Sequence, residues 1–405
     1  MPVPKTEAAF PWGGLVTLAG AIFVTVTSEF LPTGLLPQMA EGLRVPQSQV
    51  GLLITVFAGT VVVSAAALTS LTRRFPRKPL ILIVLVAFAL TNFLGAIAPS
   101  YEFMVATRVL GGLAHGLFWA VVGAYPGHLV PQRQLARAVA ITAAGGSAAF
   151  VLGVPAGTAI GHAVGWRLAF VAMGVVVLVF TVLVAKFVPP VEHRQPVKTG
   201  EIPLPLRRDP TLPGVILVGI ITLTIMVGHN LFYTYIVPYF TDVNGFPEGA
   251  VSTLLLVYGI AGAGGLVLVG VVGGRLPRLG LFAGVLFVAV SAIVIGMLPT
   301  HHWLVIIALV VWGAALGGIP ALLQTRALHT ASPQLRDLSS AIVTTSFNIG
   351  IGGGAFVGAL LLEGPGLRAL PFVDAAVMAG VLALLIVSDR TIRNRAARPP
   401  TIPFS

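Results

Sequence analysis

Apolar runs of about twenty residues recur along almost the whole chain, and no other feature limits its fold as strongly. A helix rising 1.5 Å per residue needs about 20 such residues to cross a hydrocarbon core of about 30 Å. The runs fall near 12–38, 48–71, 79–98, 102–125, 137–161, 167–188, 212–240, 248–273, 280–298, 303–326, 338–362 and 368–388. Lipid offers no water to backbone N–H and C=O groups, so each run must satisfy them within a helix. Charge is correspondingly scarce. Asp, Glu, Lys and Arg make up 9% of the 405 residues, against about 25% in soluble domains. The reading is an all-α membrane protein with twelve transmembrane helices.

The first run, Trp12 to Pro37, is too long for a signal core and no small-residue cleavage site follows it. With no cysteine, disulfides, thiolate nucleophiles and cysteine metal sites are excluded, and no metal or cofactor is expected. The net charge of +11 does not point to nucleic acid, because the cations sit in short loops. With the amino terminus in the cytoplasm, 20 of the 24 Lys and Arg fall inside. Arg44, Arg167 and Arg368 fall outside, and Arg108 lies within a helix. The positive-inside rule therefore predicts a multi-pass protein of the bacterial cell membrane with both termini cytoplasmic.

One connection is long, about 189–211, and rich in Pro and charge. It reads as a cytoplasmic linker between six helices in 1–188 and six in 212–405. The halves also resemble each other at a constant shift of 201 positions. Thr33 falls on Thr234, Pro37 on Pro238, Pro46 on Pro247, "RFPR" on "RLPR", Gly112 on Gly313, and Gly165 and Arg167 on Gly366 and Arg368. Both halves start on the same side, so the repeat is parallel, as in transporters whose two bundles share a midplane site.

Ionisable groups within the spans are few. Of thirteen acids, Glu29 and Asp374 lie well inside predicted helices. A carboxylate at a helix centre costs about 2.5–3.5 kcal/mol on insertion scales, so Glu29 should face the bundle interior with a partner or a proton. Burial opposes its charge and a nearby cation favours it, and a group held between the two can take up and release a proton. Arg108 lies at a similar depth, within about 3 Å at 1.5 Å per residue, and is the expected partner, directly or through water. Asp374 is expected to pair structurally with Arg368.

His115 and Trp119 are four apart on one helix face, and His115 competes with Glu29 for the proton. Phe30, His115, Trp119, His229, Asn230, Tyr233 and Tyr235 give the polar and aromatic lining that suits an amphipathic organic solute. The alternative for each is ordinary interhelical packing, worth about 0.6 kcal/mol per hydrogen bond. Pro32, Pro37 and Pro238 each remove a backbone donor, which bends a helix and frees carbonyls that need other partners. Gly153, Gly157, Gly161 and Gly165 recur every fourth residue around Pro155, a stripe for close packing that also serves motion.

"SEFLPTGLLPQM", "RRFPRK", "RVLGGLAHGLFWAV" and "GVPAGTAIGHAVGWRLAF", in that order, resemble the major facilitator superfamily. More narrowly they resemble its bacterial drug:proton antiporter branch, near sugar-efflux and chloramphenicol-resistance-type exporters. The resemblance covers the whole chain. It implies two six-helix bundles, a cavity lined by helices one, four, seven and ten, and a motif arginine where Arg108 stands. It also has departures. In the loop after the second helix, Thr69 stands for a glycine, Arg73 for the usual Asp, and Pro76 for the second glycine. Val154 replaces the glycine before Pro155. With that Asp missing, Arg73 or Arg74 is expected to reach Asp337 as a cytoplasmic latch; the alternative is that these arginines only set topology.

No Walker loop is present, so energy must come from a gradient. The expected function is non-enzymatic export of a small drug- or antibiotic-like compound in exchange for protons, by a monomer in the bilayer. Sugar or metabolite efflux by the same mechanism is the alternative, with proton symport and a transporter-like receptor behind it.

Overall fold

The computed structural model describes residues 10–191 and 209–396, apart from Arg73, Ala124 and Gly274–Leu276. The described residues form helices and turns, with no strand among them. The twelve long helices are α1 (Trp12–Gly34), α2 (Gln47–Leu71), α3 (Arg77–Ala96), α4 (Tyr101–Val122), α5 (Arg137–Val164), α6 (Trp166–Phe187), α7 (Leu212–Tyr233), α8 (Glu248–Val271), α9 (Pro277–Met297), α10 (His302–Thr330), α11 (Leu338–Glu363) and α12 (Leu367–Ile386). Their length and apolarity suffice to cross a membrane. α6 shows why these helices need lipid: Val175, Val179 and Val182, on one face of it, are exposed.

The chain divides into two compact units, Met1–Pro46 with Val56–Thr199 and Gln47–Thr55 with Gly200–Ser405. The opening stretch of α2 thus groups with the second unit, where the Ser48 hydroxyl donates to Glu363 Oε1 at 2.8 Å. Most of the 189–211 connection lies outside the described residues.

Both units use glycine to bring their first and fifth helices together. A Cβ on Gly157 of α5 would stand 2.5 Å from Leu31 of α1, and one on Gly153 would collide with Thr27. In the second unit a Cβ on Gly354 of α11 would stand 2.6 Å from the Val227 carbonyl of α7, and one on Gly358 2.6 Å from that of Leu231. The glycine stripe therefore packs inside each unit, against that unit's own first helix.

The proline bends occur where the sequence places them. Pro32 lies inside α1, which stops two residues later. Pro37 opens the short helix Leu36–Leu43. α7 ends at Tyr233, and a three-residue turn ending at Pro238 runs into a wide π-turn, Tyr239–Val243. A second π-turn, Ala149–Gly153, precedes Pro155, so α5 widens just where a proline supplies no N–H. Two turns need glycine outright: Gly165 has φ +90° and Gly366 has φ +86°, equivalent positions in the repeat.

Candidate functional site: a buried carboxyl, an imidazole and an indole

In the first unit, Pro32 determines what surrounds Glu29. Proline has no N–H, so the carbonyl four residues back, that of Ser28, loses its helical partner. The Arg108 guanidinium on α4 donates to that carbonyl at 3.2 Å. Arg108 is itself buried, packed over the rings of Phe57 and Phe170 at 5.9 and 5.3 Å. The Ser28 side chain bonds Asn92 of α3 at 3.0–3.1 Å, and Asn92 also donates to the Phe88 carbonyl at 2.8 Å. This polar layer holds α1, α3 and α4 together at the level of the bend.

Of the two forms expected for the Glu29–Arg108 interaction, the direct ion pair is absent among the described residues. The polar group facing the Glu29 carboxyl is His115, with Oε2 3.4 Å from Nε2, a contact that is an ion pair only when the imidazole is protonated. The reason is directional. Side chains lean toward the amino end of their own helix. α1 and α4 are three crossings apart and run in opposite senses, so the Glu29 and His115 side chains lean toward each other. Those of Glu29 and Arg108 lean apart, and Arg108 meets the backbone of Ser28 instead.

Glu29 is 4% exposed and its Oε1 has no hydrogen-bond partner. His115 Nε2 also accepts from the Trp119 indole N–H at 2.6 Å, while its Nδ1 has no partner. Phe57 and Phe88 contact the imidazole edge-on at 5.2 and 5.7 Å. Trp119 is 37% exposed and is the one member of the trio that reaches the surface of the unit. Phe30 lies next to Glu29 in sequence but packs on Phe150, ring centroids 4.9 Å apart.

The second unit carries a different cluster at the equivalent place. Asn230, which takes the position of Glu29, donates to the Met226 carbonyl of its own helix at 2.9 Å. His229 stacks on Tyr233 at 5.0 Å and meets Trp312 at 5.5 Å. Tyr258 and Phe232 complete the group, each within 5.5 Å of the Trp312 ring. The Tyr235 hydroxyl is committed to the Ala355 carbonyl at 3.0 Å. Asp374 does not pair with Arg368: it is fully buried with both oxygens unpartnered, while Arg368 is exposed. Six residues on a helix turn two side chains about 120° apart, so closeness in sequence did not bring them together.

Of the residues expected to gate, Arg73 lies outside the described residues, as does the side chain of Asp337. The latch to Arg74 is therefore not described. Sequence reasoning missed Asn92, Phe57, Phe88, Trp312 and Tyr258. Asn92 had a signal of its own, as a polar amide inside an apolar run.

Against known proteins, the Major Facilitator Superfamily model matches residues 18–337 and 218–402. The chain belongs to the major facilitator superfamily. Among curated relatives, a probable sugar efflux transporter of Helicobacter pylori (strain G27) is 30% identical over 373 residues, covering 92% of this chain and 93% of its own. A probable sugar efflux transporter of Mannheimia succiniciproducens is 28% identical over 367 residues, 90% of each chain. Among solved structures, the nucleoside transporter NupG superposes with TM-score 0.74 at 11% identity, covering 92% of this chain and 98% of its own. A bacterial homologue of the human lysosomal transporter Spinster superposes with TM-score 0.73 at 15% identity, covering 95% and 98%. At such identities these two structures establish the major facilitator fold and nothing about the solute.

Proposed function

We propose that this major facilitator protein is a secondary transporter that exports a small organic solute in exchange for protons, with Glu29 as the proton carrier. The observation behind this reading is a carboxyl buried among apolar and aromatic groups, its Oε1 unpartnered and its Oε2 facing one imidazole nitrogen. A charge buried so incompletely paired is costly, and a proton removes that cost.

Trp119 helps to choose between Glu29 and His115. An indole N–H can only donate, so His115 Nε2 must be the acceptor and the ring hydrogen sits on Nδ1. Nε2 has one lone pair, and the indole occupies it. The imidazole is then neutral, and the proton that the pair handles resides on Glu29. Arg108 acts through structure, by filling the carbonyl that Pro32 leaves open.

For the solute, the names of the two relatives favour a sugar or sugar-like metabolite, against whose apolar face the partly exposed Trp119 ring can pack. A drug-like compound is the second reading, favoured by the apolar rings of Phe57, Phe88 and Phe118 around His115 and Trp119. The excess of Lys and Arg in one set of loops favours cytoplasmic termini.

The test is flux in proteoliposomes under an imposed pH gradient, with panels of sugars and of drugs. The wild type should accumulate one class against its gradient and dissipate the pH difference as it does so. Glu29→Gln should lose uphill movement by at least about tenfold, since one obligatory protonation step is removed, while downhill exchange persists. Undiminished uphill transport by Glu29→Gln would overturn the assignment.

A further inference from the structure

Asp374 is the one described carboxyl with both oxygens buried and without a hydrogen-bond partner. It lies in the α12 span and has no exposure. Natural proteins rarely leave such a group unsatisfied, and an ionised carboxylate in that position would be among the costliest things to bury.

Its neighbours do not supply a counter-charge. α12 packs against α7 and α9. On α7, a Cβ added at Gly228 would stand 3.0 Å from Oδ1, so the backbone of α7 lies directly on the carboxyl. The titratable groups of α7 near this point are His229, next to Gly228 in the chain, and Tyr233, one turn on. Tyr258 of α8 joins them, its ring 5.2 Å from that of Tyr233. α9 meets α12 at Gly296, against Phe372. The one ionisable residue of α9, Arg278, is eighteen residues away, about 27 Å along the helix. Glu363 of α11 is held by Ser48, and Arg368 is exposed. Among the described residues, no Lys, Arg or His nitrogen pairs with Asp374.

The identity of the missing cation follows from space and ligands. Among the described residues no group of three His, Cys, Asp or Glu could hold a metal. Met378 and Val377 crowd the same face of Gly228, with would-be contacts of 2.8 and 3.0 Å. A cation that needs neither a cavity nor further ligands is a proton.

We propose that Asp374 is a second proton-binding site, contained within the second unit and independent of Glu29. A proton from water adds to one carboxylate oxygen and leaves a neutral acid, whose burial under Gly228 is then tolerable. α7 breaks at Tyr235, seven residues beyond Gly228, where φ and ψ are −109° and 21°. Return of that proton to water requires α7 to move off the carboxyl, and the break at Tyr235 is a place where that helix can bend. The protein thus carries one titrating acid in each unit.

Selective labelling tests this without altering the protein. The chain has five aspartates, so carboxyl-13C aspartate gives five signals and leaves glutamate silent. In wild-type protein in lipid at neutral pH, one of the five should have the chemical shift of a neutral acid. It should convert to carboxylate as the pH is raised with the protein still folded, and its absence from the Asp374→Asn spectrum should assign it. Asp374→Asn, a near-isostere of the neutral acid, should remove that signal alone. Five carboxylate signals would overturn the proposal. So would a neutral signal that never titrates before the protein unfolds, which would make Asp374 a fixed packing element. Neither result bears on Glu29, whose role is read from flux.

Discussion

A single carbonyl shows how residue-level chemistry builds the candidate site. Pro32 withholds a donor from Ser28, and Arg108 on another helix replaces it. The two residues should therefore be energetically coupled. Arg108→Leu should lower stability by about 1–3 kcal/mol by leaving a buried carbonyl unpaired. Pro32→Ala restores the helical N–H, so in the double variant the Ser28 carbonyl regains a partner. Thermal unfolding of the two singles and the double in one detergent should give a coupling of about 1 kcal/mol; strict additivity would mean that Arg108 serves some other purpose. This scale was partly legible in the sequence. That freed carbonyls would need partners followed from proline alone. Which partner each group found did not, because position along a helix fixes depth while side-chain lean and azimuth decide contact. Arg108 was placed at the right depth, but its direct hydrogen bond goes to the Ser28 carbonyl rather than to Glu29, and Asp374 was given a partner on the wrong side of its helix.

At the level of elements, the same stripe of glycines sets helix spacing in both units. Gly353 and Gly354 of α11 make a controlled comparison. A methyl at Gly354 meets the Val227 carbonyl at 2.6 Å and the Asn230 Cβ at 2.8 Å, whereas one at Gly353 meets only a Val227 methyl at 3.6 Å. Gly354→Ala should cost about 1–3 kcal/mol through overpacking. Gly353→Ala should be neutral or stabilising by up to about 1 kcal/mol, since alanine favours helix. Equal melting temperatures for the two variants would refute the packing argument.

The entry to α7 is held differently from the entry to α1. Asp209 accepts from the Ser332 hydroxyl at 2.5 Å and from the Thr211 hydroxyl and N–H at 2.7 and 2.8 Å. At the corresponding end of α1, Arg137 lies over Phe10 and Trp12, each at 4.8 Å. The Ser332 hydroxyl, then those from Thr211, hold the Asp209 carboxyl below its ordinary value. A depressed carboxyl stabilises the fold fully above its unfolded value of about 3.9, and that contribution is lost as pH falls through the folded value. Amide exchange at Thr211 and Ser332 should therefore quicken, beyond its intrinsic pH dependence, below about pH 4. Asp209→Asn should abolish that extra step; its persistence would place the titrating group elsewhere.

Across the whole molecule, helix number and the internal repeat were readable because both rest on composition and spacing, which lipid enforces strictly. The 201-residue shift carries over to the glycine contacts of α5 and α11 and to the proline bends after α1 and α7. The chemistry mounted on that frame was less readable, because the two units no longer match there. Glu29 falls on Asn230, and the buried acid of the second unit stands on α12, at a place where the first unit has Met173. The turn between the fifth and sixth helices of each unit has not diverged. Gly165 and Gly366 both lie in backbone territory that is nearly closed to every other residue. A side chain at either glycine would be strained whatever space surrounds it, so both corners resist substitution in the same way. Any change made to the chemistry of either unit has to be accommodated around a turn that tolerates no side chain.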